Sequence, residues 1–169
     1  MPKLELEIDL TEIFDTKITD AALRAEIADS IIQKIVDRTQ SGKSLRGKPF
    51  KKYSKDYQGI RSAAGLSPTE VDLTFSGEML NSIITKKENE RKIILGWDDD
   101  TNEAKAYNHN TGDTLPQREF FGLQEKEKAE LRNEFSDIIS GFDALNTATN
   151  DAEFESATNK LLATLLEES

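Results

Sequence analysis

The chain has 169 residues, 32% of them charged and 36% hydrophobic, with a formal net charge of −10; that is enough for one domain with a genuine core and a helical extension. It holds no cysteine and one histidine, His109, which excludes disulfide staples, thiolate nucleophiles and cysteine- or histidine-rich metal centres. The acidic balance argues against a general nucleic-acid binder, because phosphate affinity comes from lysine and arginine.

Residues Leu4 to Leu10 alternate Leu4, Leu6, Ile8 and Leu10 with Glu5, Glu7 and Asp9, the pattern of a half-buried strand. The start Met1-Pro2-Lys3 has neither the basic opening nor the apolar core of a secretion signal, and no apolar run approaches the length of a bilayer span. Synthesis and assembly in a cytoplasm, away from membranes, are the expectation. Thr19 or Asp20 then caps a helix whose Leu23, Ile27, Ile31 and Ile35 fall at fourfold spacing, reinforced by Ile32 and Val36; these make one apolar stripe. Ser41-Gly42 ends it.

From Gly42 to Pro68 the chain is mostly loop, with a short helix expected around Ser54 to Ser62 and with Phe50, Tyr53 and Tyr57 pinning one face. Lys43, Arg46, Lys48, Lys51, Lys52, Lys55 and Arg61 face Asp56 alone across Ser41 to Arg61. A basic segment on an acidic body suits electrostatic contact with a neighbouring copy or with nucleic acid, or a solvated loop. Loops of this length are usually functional or disordered, so mobility in an isolated subunit and order on assembly are expected.

Beyond Leu73, Ser76 is expected to cap a short helix through Asn81. Ile83 to Lys87 and Lys92 to Trp97 read as a hairpin turned at Glu88-Asn89-Glu90 and closed by Asp98-Asp99-Asp100. A helical turn at Ala104 to Tyr107 followed by loop, and a strand over Leu115 to Phe121, come next. A second long helix starts near Leu123, with Glu125 and Glu127 favouring its N-terminal dipole and Leu131, Phe135, Ile138 and Phe142 facing the core. Gly141 and the polar run Asn146 to Asn150 separate it from a last helix, where Asn150 and Glu153 have capping-box spacing. There Phe154, Ala157, Leu161, Leu162, Leu165 and Leu166 line one side, to pack on the same subunit or on a neighbour. The fold class expected is α+β: a mainly antiparallel twisted sheet packed by two long helices, with a C-terminal helical extension. Residues 1–145 form the main domain, with a mobile basic loop near 41–68, and 146–169 the extension.

Chemistry-bearing motifs are sparse. Asp98, Asp100 and Asn102 match the first ligands of a calcium loop, but Glu103 stands where glycine is needed and His109 where a bidentate glutamate belongs. Ser76-Gly77 lacks the preceding glycine of a nucleophile elbow. Gly42-Lys43-Ser44 lacks the earlier glycine and the preceding strand of a phosphate loop. His109, between asparagines, reads as a general base or as a hydrogen-bonded structural residue. No catalytic residue, metal ligand or cofactor is assigned.

Three ordered stretches resemble a known family. Gly47-Lys48-Pro49-Phe50-Lys51-Lys52-Tyr53-Ser54-Lys55-Asp56-Tyr57 is similar to its G-x-x-(W/F)-x-x-(L/Y)-S-x-x-Y loop. Leu73 to Ile83, with Ser76, Gly77 and Ser82, is similar to its L-x-x-(T/S)-G-x-(L/M)-x-x-S-I segment. Tyr107-Asn108-His109-Asn110-Thr111-Gly112 and Leu115 to Gly122, with Pro116, Arg118, Phe120 and Gly122, resemble its Y-A-x-x-H-x-x-G…P-x-R-x-F-(L/F)-G close. The family is that of phage virion-morphogenesis proteins, which act in tail completion and head–tail joining, and the resemblance spans roughly Thr19 to Ile139.

It implies a structural virion protein of a tailed bacteriophage, not an enzyme: a late-made subunit of a ring, hexameric by implication, in the neck or tail. Its partners would be copies of itself and other neck, connector or tail proteins, with non-specific contact to passing DNA through the basic loop. It would be found in the virion, and in the host cytoplasm during assembly. In the motifs, Ser76 would cap, Gly77 turn tightly, Pro116 fix the backbone and Arg118 reach a partner carboxylate. Two other readings stay open. One is a small metal-dependent hydrolase or nuclease using Asp98, Asp100 and His109; the other is a cytoplasmic protein-binding regulator using the C-terminal Leu/Phe helix.

Overall fold

A computed structural model describes residues 3–167 of the chain. Strand β1 (Leu6–Asp9) is shorter than the Leu4–Leu10 alternation, because Asp9 turns the chain. Its carboxylate accepts the N–H groups of Thr11 (2.9 Å) and Glu12 (3.3 Å) and so caps the one-turn helix α1 (Leu10–Phe14). Leu10 therefore belongs to a helix, yet it is fully buried as the alternation requires. Helix α2 (Ala21–Gln40) starts at Asp20, whose carboxylate accepts the Leu23 N–H at 2.7 Å. Its expected stripe of Leu23, Ile27, Ile31 and Ile35 is buried throughout.

Ser54 caps α3 (Lys55–Ala63) through the Tyr57 N–H. Ahead of the short helix α4 (Glu78–Asn81) the capping position is Gly77 at φ 84°, one residue later than expected, and Ser76 only accepts the Glu78 N–H at 3.4 Å. The left-handed φ at that position is one that favours glycine.

Strands β2 (Ile84–Glu88) and β3 (Lys92–Gly96) form the expected hairpin. The sheet has the order β1-β3-β2, antiparallel throughout, with Leu6 opposite Leu95 and Ile8 opposite Ile93. β1 and β2 are its two edges. The chain is thus α+β, with a small three-stranded antiparallel sheet among the described residues.

Three expectations fail here. The Asp98-Asp99-Asp100 run does not close the hairpin: Asp99 accepts the Asn102 N–H at 2.7 Å and starts α5 (Asp100–Thr111), a full helix in place of one turn and a loop. Only Glu103 and Ala106 of α5 are buried, so it carries no apolar stripe to reveal it. The Leu115–Phe121 segment is no strand and joins no sheet. Its amides bond to the end of α5 instead: the Arg118 N–H donates to the His109 carbonyl (2.7 Å), and those of Phe120 and Phe121 donate to Asn110 Oδ1 (3.0 Å each).

Third, Gly141 does not break the second long helix. α6 (Glu125–Thr147) runs through it, and the missing side chain admits Leu161 of the last helix, α7 (Asp151–Glu167), where a Cβ would meet Leu161 Cδ1 at 2.7 Å. Asn150 Oδ1 accepts the Glu153 N–H at 2.9 Å at the start of α7, as its spacing predicts.

α6 packs against α1, α2 and α7, and its buried Leu131, Phe135 and Ile138 join the α2 stripe, Ile93, Leu95 and Trp97 in one core. Glu127 does more than favour the α6 dipole. It is buried against Arg38 of α2, which donates to Glu127 Oε1 (2.6 Å), the Phe120 carbonyl (2.5 Å) and the Gly122 carbonyl (2.9 Å). One guanidinium thereby ties both long helices to the Phe120–Gly122 turn. Gly122 lies where a Cβ would strike Leu45 at 2.8 Å.

Candidate functional site

The three family-like stretches, far apart in sequence, meet at one cleft of about 590 Å³. Tyr53, Ser54 and Tyr57 come from the first, Ser76, Gly77 and Met79 from the second, and His109, Pro116 and Arg118 from the third. Ile60, Phe75 and Leu115 add exposed apolar surface at the rim.

Tyr53 organises the wall. Arg61 lies 4.9 Å and Arg118 5.0 Å from its ring centroid, two cations over one buried aromatic. Its hydroxyl accepts the Leu73 N–H at 3.1 Å, and burial pushes its pKa up. Tyr57 meets Tyr53 edge-on at 4.9 Å and lies 6.2 Å from Phe75, so a chain of rings leads from the interior to the rim. Both arginines are held by the protein. Arg61 donates to the carbonyls of Ser67 (2.8 Å) and Thr74 (2.6 Å) and to Asp72 (3.1 Å), and thus leaves the basic surface to which its sequence position assigns it. Arg118 reaches no carboxylate; it donates to the Lys51 and Lys52 carbonyls at 2.8 and 2.9 Å. Burial holds its pKa below the usual guanidinium value.

Those two bonds orient the basic loop. With its backbone clasped by Arg118, the side chains of Lys51 and Lys52 point outward and are exposed, as are those of Lys43, Lys48 and Lys55. None of these five lysines forms an ion pair among the described residues, whereas Arg46 meets Glu119 at 3.4 Å. The loop is also pinned by the bridge between Lys43 and Pro49, by the Leu45 N–H on the Glu119 carbonyl (2.7 Å), and by buried Phe50.

His109 lies against the cleft, mostly buried. Burial and the nearby Arg118 charge push its pKa down to about 4, so the ring is neutral at neutral pH. Its Nδ1 is buried with no hydrogen-bond partner among the described residues. No carboxylate lines the cleft to orient the ring as a base. Asp98 pairs with Lys86 at 2.6 Å, Asp99 is the α5 cap, and Asp100 precedes His109 on α5 by about 13 Å of helix axis at ~1.5 Å per residue. Asp98, Asp100 and His109 therefore do not gather, and the described residues contain no group of His, Asp and Glu able to hold a metal.

The remaining motif residues have packing roles. Gly112 ends α5 at φ 77°, where a Cβ would also meet the Gln117 backbone at 3.1 Å. Ser82 donates to the Met79 carbonyl, the Tyr107 carbonyl accepts the Thr111 hydroxyl, and Phe120 is fully buried beside Trp97. The sequence marked neither Arg38 as a clasp nor Asn110 as a cap for the Phe120 and Phe121 amides, since both serve backbone groups of other segments and no spacing rule marks such a residue. Among the described residues, no helix is long and apolar enough to cross a membrane. No family model, no characterised protein and no solved structure matches the chain.

Proposed function

We propose that the chain is a structural subunit of a tailed-phage particle, acting in tail completion or head–tail joining, and that it assembles with copies of itself into a ring. The observation that carries this reading is the convergence of the three family-like stretches on one cleft, whose wall is built from Tyr53, Tyr57, Phe75 and Arg118. Stretches singled out in the sequence by their resemblance to one family each contribute residues to the same cleft. In this reading the twisted sheet packed by α2 and α6 is the body of the subunit, and α7 is an extension reaching other chains. β1, an edge strand, offers unpaired backbone groups for extension between subunits. The exposed Lys48, Lys51 and Lys52 face a neighbouring acidic surface or passing DNA, with the backbone of Lys51 and Lys52 held by Arg118.

The test is electron microscopy of particles made without the chain and of particles made with Lys48, Lys51 and Lys52 all changed to glutamate. Unjoined heads and tails, or tails of uncontrolled length, are expected from the deletion, and reduced joining from the charge reversal. Normal particles in the deletion would overturn the reading. The exposed apolar face of α7 would also serve a protein-binding regulator, which predicts no change in particle morphology.

A further inference from the structure

Two apolar surfaces remain uncovered on this acidic chain. On α7, Phe154, Leu162 and Leu165 are 56, 52 and 41% exposed, while Leu161 is buried against Gly141 of α6. Around the cleft, Ile60, Phe75 and Leu115 are 55, 48 and 42% exposed. Contiguous apolar surface of this kind marks an interaction site more often than chance exposure does. The chain does not use one surface to cover the other, for no residue of α6 or α7 lines the cleft.

The charges are complementary as well. α7 carries Asp151, Glu153, Glu155 and Glu167 against Lys160 alone. The cleft has no acidic residue in its lining, and Lys105 gives it an exposed positive charge; Arg118, which also lines it, is buried with its guanidinium on the Lys51 and Lys52 carbonyls. An acidic helix with large apolar side chains fits a cation-rimmed apolar cleft. The apolar face supplies affinity and the charges set orientation.

We infer that α7 of one copy seats in the Tyr57–Ile60–Phe75–Leu115 cleft of the next copy. Leu162 and Leu165 lie three residues apart, on neighbouring positions of one side of the helix, so both can meet the cleft and its rim while Leu161 stays packed on α6. The two surfaces differ, which makes the contact heterologous: every copy keeps one free α7 and one free cleft until the chain of subunits closes on itself. A ring is the closed outcome of such a contact. The inference deepens the ring reading above and rests on it.

The absence of cysteine permits a direct trap. Reduced Ile60→Cys and Leu162→Cys chains, both substituted at exposed positions, are treated with a mild thiol oxidant, each alone and as an equimolar mixture, then run on a non-reducing gel. The mixture is expected to yield a covalent two-chain species well above the level of either chain alone, and a chain carrying both substitutions to yield a ladder. Native mass measurement of the full chain should show assemblies that Leu162→Asp dissolves to monomer. The contact is overturned by a mixture that links no better than its components, by Leu162→Cys linking chiefly to itself, or by a native mass that shows only a monomer. Rings that persist in Leu162→Asp overturn it too, while leaving the ring reading intact. Failure of the ring reading is scored separately, by normal particles made without the chain.

Discussion

Helices α2 and α7 carry apolar stripes of similar clarity and meet opposite fates. α2 buries Leu23, Ile27, Ile31 and Ile35 completely, and its last turn is locked by Arg38 on Glu127. α7 buries Leu161 alone and leaves Phe154, Leu162 and Leu165 to solvent. Periodicity states which face of a helix is apolar. What covers that face depends on where the other elements stop, and α6 offers α7 only the niche at Gly141. The difference separates a helix that closes the core from one that leaves apolar side chains open to solvent.

The comparison breaks most visibly at Glu127. Removing one partner of a buried ion pair strands the other charge, so Glu127→Ala should cost about 4 kcal/mol in urea unfolding. A loss near 1 kcal/mol would mean that the clasp contributes little to joining α2 and α6. Next, Ile31→Ala should cost about 3 kcal/mol through the cavity it leaves. Leu162→Ala should stay within about 0.5 kcal/mol for the isolated chain. Equal effects would erase the contrast between the helices.

A pH effect sharpens the cleft side of the contrast. The folded pKa of His109, about 4, lies below its ordinary 6.5. The unfolded chain therefore binds the extra proton first, and the stability contributed is complete above pH 6.5 and lost as pH falls towards 4. At pH 5 the loss attributable to this residue is on the order of 2 kcal/mol. Replacing it by His109→Gln should flatten the stability–pH slope between pH 6.5 and 4 by that amount. An unchanged slope would show that the ring is solvated.

Much of the fold was legible in local pattern. A cap at Thr19 or Asp20 announced α2, its stripe the buried face, and Glu88-Asn89-Glu90 the hairpin turn, because caps, stripes and tight turns act over a few residues. α5 was not legible: its cap lies inside an aspartate triplet, and the helix buries only Glu103 and Ala106. The Leu115–Phe121 segment read as a strand that carries Phe120 and Phe121 into the core; both rings are buried, yet the amides of Arg118, Phe120 and Phe121 are taken by His109 and Asn110. Of the cleft, the sequence marked the residues without their meeting place. The clasp of Lys51 and Lys52 by Arg118, and the pairing of two guanidinium groups over Tyr53, join segments too far apart for any spacing rule.

By itself, then, the sequence determined the composition limits, the helix stripes, the hairpin and the basic character of the Lys43–Lys55 loop, all consequences of interactions between near neighbours along the chain. Tertiary structure alone decided that Arg61 and Arg118 turn inward, that three distant stretches share one cleft, and that α7 keeps an apolar face uncovered. Those outcomes depend on which backbone groups and surfaces remain unsatisfied once the core has closed, and that is a property of the assembled chain.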